Sequence, residues 1–280
     1  MYAAHRDSCI YSYYSHLISA KLEAYYHINQ IEENVVAYRA LGKSNYDFAS
    51  EALEFALSKS VCTILAFDIS NFFSSLNHHL LKSRLKHTLG VSELPEDWYK
   101  IFREITQYKY VSREELQANT AIQPVLHRHQ AESRLLCTIK ELKEHKIPIY
   151  QNSKNSKGIP QGTPISATFS NLYLVDFDVK IRQICDECAA FYRRYSDDLL
   201  IICDPQDAER VKYLVYQMVS DEYLEINPEK TEENIFQVEQ HSDHISLSQY
   251  LGFILAGDGP YIRPASLARQ RRRIRSSIKR

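Results

Sequence analysis

The chain has 280 residues, 44% of them apolar, with a formal net charge of −1; that is enough for one large domain or two small ones around a real core. No stretch approaches the ~20 apolar residues of a membrane span, and MYAAHRDSCI has no cleavable signal pattern. Export and membrane insertion are therefore not expected, and the expected setting is the cytoplasm.

Taken in order, the first sixty residues read mostly as helix: an aromatic, amphipathic stretch, YSYYSHLISAKLEAYYHI, and a second helix over ASEALEFALSK. Between them VVAYRALGKSNYDF reads as a strand and turn. Residues 61–68, VCTILAFD, are β-branched and apolar and end in an acid, the pattern of a buried central strand that delivers Asp68 at its C-terminal end. A helix carrying Leu80, Leu81 and Leu85 follows, then a mixed region over 95–150 with helices and two or three short strands. TPISATFSNLYLVDFDVKIRQI predicts one long helix, with Thr163 as N-cap and Pro164 at its first position. A strand, a tight turn at Ser196–Asp198 and another strand come next. DPQDAERVKYLVYQMVSDEY predicts a helix capped by Asp204 and started by Pro205, with Val211, Leu214, Val215, Met218 and Val219 as its apolar stripe. The last hairpin, QYLGFILAGDGPYIRP, turns at GDGP. The predicted fold class is α+β with a mostly antiparallel sheet.

Six cysteines, Cys9, Cys62, Cys137, Cys185, Cys188 and Cys203, lack a framework spacing and fit reduced thiols. The pair CDEC at 185–188 would need further ligands for zinc, and nothing in the sequence brings His127 or His129 to it. The net charge argues at first against nucleic acid, but it hides an asymmetry. From Arg263 to Arg280 there are seven Arg, one Lys and no acid, so this end carries +8 and the rest −9. Such a run, including Arg269, Arg271, Arg272 and Arg273, is an electrostatic footprint for phosphate. A solvated tail is the plainer reading, and the surface around Arg193 and Arg194 is then the alternative cationic site.

The stretch RRYSDDLLII sets Asp197 and Asp198 against an apolar run that reads as a buried strand. Adjacent carboxylates repel, and burying them unpaired costs several kcal/mol, so a divalent cation is the natural compensation. If the strands ending in Asp68 and Asp197 are neighbours, they form an all-oxygen site for Mg²⁺ or Mn²⁺. Because successive side chains of a strand alternate in direction, Asp197 ranks above Asp198 as a ligand. Two ions ~3.5–4 Å apart would serve an in-line displacement by a 3′-oxygen with pyrophosphate leaving.

FDISNFFSSLNH, GIPQGTPISATFSNLYL, YSDD, LEINPEKTE and YLGF follow the order and approximate spacing of motifs A to E of reverse transcriptases. With the upstream GKSNYDFA, the match covers most of residues 35–254. The chain thus resembles a prokaryotic reverse transcriptase, similar to retron and group II intron enzymes and closest to abortive-infection or defence-associated members. The resemblance implies right-hand fingers and palm over residues 1–254 with an antiparallel palm sheet. It implies that 255–280 is a basic segment beginning a thumb that is short, truncated or completed by another chain. It implies RNA-directed DNA synthesis from dNTPs with two Mg²⁺ or Mn²⁺ ions, in antiphage defence, on an RNA template that could be a structured non-coding RNA, with a partner protein or a second copy.

Residue by residue, the resemblance makes Asp68, Asp197 and Asp198 the metal-binding acids, with the Ile69 carbonyl a further ligand. Phe73 matches the steric gate that excludes a 2′-hydroxyl, which leaves Phe72 to the core. Gln161 and Gly162 match the motif B turn, where glycine lets backbone approach a nucleotide. Lys230 matches the lysine that protonates pyrophosphate, and Arg39 and Lys43 match fingers residues that grip the triphosphate. Untemplated or protein-primed synthesis at the same site, and a silent nucleic-acid-binding subunit, are the competing readings.

Overall fold

The computed structural model describes residues 5–131, 137–152, 156–237, 248–256 and 259–278. Helices α1 (His5–Ile28) and α2 (Asn45–Ser58) precede strand β1 (Val61–Asp68). Short α3 (Phe72–Ser75), α4 (His78–Leu89) and α5 (Glu96–Thr106) lead to β2 (Lys109–Tyr110). Helices α6 (Arg113–Ala118), α7 (Gln123–Ala131) and α8 (Ile139–Glu144) lead to its partner β3 (Tyr150–Gln151). Then come α9 (Pro164–Tyr173), α10 (Val175–Glu187), the hairpin of β4 (Phe191–Tyr195) and β5 (Asp198–Cys203), α11 (Ala208–Asp221) and β6 (Glu232–Gln237). A meander, β7 (Ser248–Tyr250), β8 (Phe253–Ala256) and β9 (Gly259–Ile262), and helix α12 (Pro264–Ile278) follow.

Strands β4, β5, β1 and β6 lie side by side in that order, every pair antiparallel. This is the α+β architecture expected. The period of two in β1 sorts its side chains between two cores. Leu65 and Phe67 face a large core built with α1, α4, α9, α10 and α11, while Cys62 and Ile64 face a smaller one built with α2, Tyr250 and Leu255. Asp68 has the parity of Ile64, so the sheet's acidic end belongs to the α2 side. A third small cluster, Leu116, Ile122, Leu142 and Ile147, holds the α6 to α8 region together.

Several expectations need correction. The strand expected in VVAYRALGKSNYDF is a single parallel bridge, Val35 to Arg194, which seats the segment on the edge of β4. The long helix from Pro164 is two helices: Leu174 donates to Asn171 at 3.2 Å, a tightened last turn that ends α9, and α10 then presents Asp178 to Arg194. Asp204 and Pro205 start a turn rather than a helix. Asp204 pairs with Lys59 at 3.4 Å, and α11 begins at Ala208 behind Asp207. Gly257 and Asp258 of the GDGP turn lie outside the described residues. So does the side chain of His129. Arg193 and Arg194, read as a surface alternative, are 7% and 0% exposed.

Among the described residues, no helix is long and apolar enough to cross a membrane.

Candidate active site

The end of β1 is tied to two other segments by backbone bonds. Ile69 donates to the Asp197 carbonyl at 3.0 Å, Asn227 donates to the Asp68 carbonyl at 2.8 Å, and Ser70 donates to Glu225 at 2.7 Å. In the β1–β5 register Asp68 stands opposite Asp198. Three stretches far apart in sequence thus converge on one cleft of ≈ 600 Å³. Its lining brings Asp68, Asp197 and Lys230 together with Phe73, Pro160 and Gln161 and with Tyr108 and Tyr110.

Asp197 sits in a two-residue hairpin loop whose first residue, Ser196, has φ +60°. A positive φ at the first loop position matches the right-handed twist of the flanking strands and is normally left to glycine. What holds serine there lies underneath. Arg194, wholly buried, donates from Nη1 to the Ser196 carbonyl at 3.1 Å and to Asn171 Oδ1 at 3.1 Å. Its Nε and Nη2 each reach Asp178 at 2.7 Å, and the Tyr192 hydroxyl donates to Asp178 at 2.7 Å as well. Above the turn, the Tyr38 hydroxyl donates to Ser196 Oγ at 3.2 Å. These groups position the turn; neither Arg194 nor Asp178 lines the cleft.

Electrostatically the cleft is an anionic site with one cation drawn in. Lys230 Nζ lies 3.0 and 3.1 Å from the two Asp68 oxygens, and that carboxylate holds the ammonium above its ordinary pKa. Asp198 is pushed up to about 6, first by burial of its surroundings, then by Asp197 and Asp68, with Lys230 opposing. Its own side chain still meets water, so the energetic effect is smaller than that shift implies. Asp198 is not among the residues that line the cleft. Among the described residues no three His, Cys, Asp or Glu side chains gather closely enough to cage an ion. The site is an open one: Asp68, Asp197 and Ile69 line the cleft together. Two carboxylates there with a backbone carbonyl, and a third carboxylate near enough to be perturbed, are an all-oxygen donor set that fits a hard divalent cation, which would take the place on Asp68 that the Lys230 ammonium now holds.

The wall that carries Phe72 and Phe73, the gate wall of the sequence reading, is tied to the loop before α9. Both rings line the cleft and meet edge to face at 5.6 Å; Phe72 is 2% exposed and part of the core, while Phe73 is half-buried and packs against it. The loop before α9 is bonded to this wall: Gly158 donates to Leu76 and Ile159 to Phe73, both at 2.8 Å. Gly162 takes φ +95°. Gly158 takes φ +89°, and a Cβ there would come 2.8 Å from the Ser74 carbonyl oxygen. Gly158 is therefore a required glycine that sequence reading passed over for Gly162.

Arg39 and Lys43 are corrected. Arg39 donates to Glu23 at 2.8 and 2.6 Å and to the Glu32 and Val35 carbonyls, and stacks on Tyr26 at 4.6 Å. With 5% of its side chain exposed it is a structural clasp between α1 and the following loop. Lys43 pairs with Glu51, and neither residue lines the cleft. Arg269, Arg271, Arg272 and Arg273 all lie on α12, which has no buried residue. Asn227 was missed. It accepts at its carbonyl from Lys230 N at 3.2 Å and Thr231 Oγ1 at 2.9 Å, and at Oδ1 from Glu229 N at 3.1 Å. It thereby shapes the turn that carries Lys230 over Asp68, and the Asn-Pro pair at 227–228 was its signal.

A family model described as reverse transcriptase (RNA-dependent DNA polymerase) matches residues 7–255. A search of curated proteins finds no match. Among solved structures, apo telomerase from Candida tropicalis aligns with a TM-score of 0.54 at 14% identity, over 88% of this chain and 40% of that one. The same telomerase truncated from its C-terminal domain gives 0.51 at 14% identity, over 85% and 42%. The telomerase in complex with a TWJ fragment of telomeric RNA gives 0.50 at 16% identity, over 85% and 35%. These likenesses are of fold, and the chain spans less than half the length of each.

Proposed function

The chain belongs to the reverse transcriptase family, and from that premise we propose that it is an RNA-directed DNA polymerase adding dNTPs to a primer 3′-hydroxyl. The observation that carries this reading is the convergence of Asp68, Asp197, Phe73, Gln161 and Lys230 on one cleft. Asp68 and Asp197, with the Ile69 carbonyl and Asp198 beside them, would hold two Mg²⁺ or Mn²⁺ ions. When bound, such ions stabilise charge on the attacking and departing oxygens. The chain's own groups do the rest. Phe73 closes the space a 2′-hydroxyl would need, and Gly162 lets the backbone at Gln161 come close to a nucleotide. Lys230 carries a proton at Nζ within reach of the acids, placed to pass it to a leaving pyrophosphate.

In the same proposal residues 1–254 are the fingers and palm, and 255–280 the basic start of a thumb. Arg269, Arg271, Arg272 and Arg273 lie on α12, which has no buried residue, and would meet phosphates. The template is RNA, a structured non-coding RNA included. Service in bacterial antiphage defence rests on the motif resemblance. The test is Asp197→Asn in a primer-extension assay with Mg²⁺ and with Mn²⁺. Removing one of several repelling acids leaves folding intact, so incorporation should vanish while the thermal midpoint holds. Wild-type incorporation by this variant would overturn the assignment.

A further inference from the structure

Beside the acids lies an aromatic feature that the chemistry above does not use. In extended backbone, residues two apart share a face and antiparallel partners face the same way. Tyr108 and Tyr110, and Tyr150 in register with Tyr110, therefore form one row. The Tyr108 and Tyr110 rings are 5.9 Å apart, and Tyr110 and Tyr150 stack at 5.5 Å and 29°. Tyr110 and Tyr150 are each 40% exposed. Tyr108 is half-buried, and two large rings left exposed on a ladder of only two residue pairs bring little to the core, so their fixed arrangement points to a ligand.

That arrangement is fixed. Asn152, 5% exposed, donates from its backbone to Tyr108 O at 3.0 Å, and from Nδ2 to Thr106, Lys157 and Gly158 at 3.1, 2.9 and 3.1 Å. The row is thus clamped to the same loop that the gate wall holds. At the far end, the Tyr150 hydroxyl donates to Glu115 at 2.6 Å. At the near end, Tyr108 and Tyr110 line the cleft with Asp68 and Phe73.

We propose that the row of Tyr108, Tyr110 and Tyr150 is a stacking platform for unpaired bases of the nucleic-acid strand that passes the catalytic cleft. This rests on the polymerase reading. The occupant follows from continuity with a cleft whose substrate is a polynucleotide. A nucleobase offers a flat π face to rings and a polar edge to water, and stacking tolerates any base because each has such a face.

The experiment compares two labelled single strands of equal length and charge by fluorescence anisotropy: an oligothymidylate and its abasic counterpart. Wild type should prefer the strand with bases. Tyr108→Leu and Tyr110→Leu should each weaken oligothymidylate binding about tenfold, while Tyr108→Phe and Tyr110→Phe keep the wild-type preference. Unchanged abasic binding shows that the variants have folded. Equal wild-type affinity for both strands, Leu variants that bind oligothymidylate as wild type does, an equal loss on both strands, or an effect confined to dNTP binding would each overturn the platform. Primer extension in parallel separates the two ideas. Extension without base preference refutes the platform alone, and base preference without extension refutes the polymerase reading and supports the platform.

Discussion

Replacing Asp178 by Asn leaves the Arg194 guanidinium charged, buried and without its counter-ion. Asp178 takes two bonds of 2.7 Å from Arg194 and one of 2.7 Å from Tyr192, and both members of the pair are 0% exposed. Breaking such a pair from one side costs about 3–5 kcal/mol, a large share of the ~5–15 kcal/mol that holds a typical domain together. Urea unfolding followed by far-ultraviolet circular dichroism should show this as a lower midpoint. The double variant Asp178→Leu with Arg194→Met removes both charges and should recover most of the loss, since apolar replacement of a whole buried pair is often neutral or better. It also removes the donor to the Ser196 carbonyl, which leaves the left-handed turn beside Asp197 without its support. Stability should therefore return while primer extension stays low. A single variant within about 1 kcal/mol of wild type, less than one charged hydrogen bond is worth, refutes the energetic argument. A double variant with full stability and full extension refutes the positioning argument.

The remaining predictions are shorter. Asp198 has a folded pKa of about 6, above the ordinary carboxylate value, so its protonation stabilises the fold and that gain is lost as pH rises through 6. Asp198→Asn should unfold at higher urea than wild type at neutral pH, with the gap closing toward pH 4; a gap independent of pH would refute this. Gly158→Ala should cost roughly 1–3 kcal/mol, because its Cβ meets backbone at 2.8 Å. Gly42→Ala meets nothing within 4 Å and carries only the penalty of φ +68°; equal thermal midpoints for the two would refute the contact argument. Phe72→Ala should cost on the order of 3–5 kcal/mol, whereas Phe73→Ala should mainly admit ribonucleotides in a misincorporation assay. Reversed phenotypes would mean that the gate is the other ring.

Where the signal is local, sequence and structure agree. The β-branched run before Asp68 and the acid pair at a tight turn each carry their own cue. Arg39 shows the limit. In VVAYRALG it looks like a solvated cation, and the Glu23 and Tyr26 side chains that enclose it come from α1, a juxtaposition only the packed chain creates. Arg193 and Arg194 read as surface for the same reason, because the partner that permits Arg194's burial, Asp178, lies on another element. The break at Leu174 left no trace in a hydrophobic pattern that runs on unbroken through SNLYLVDFD. The tyrosine row depends on pairing Tyr110 with Tyr150 across three intervening helices, so no window of sequence contains it.

Strand β1 is synthesised long before either of its neighbours exists. Its residues pair with 198–203 and 232–237, so everything from α3 to β4 must leave the ribosome before the first partner appears, and α11 before the second. Pairings of such long sequence separation form slowly. In the interval VCTILAFD is an apolar, β-prone segment with both edges open, the kind that self-associates. Charges that flank such a segment act as gatekeepers against aggregation, and here they are Lys59 on one side and Asp68 on the other. The acid proposed to hold the metal ions thus also guards the nascent chain, and an Asp68→Asn variant would be expected to lose yield during synthesis as well as primer extension after it.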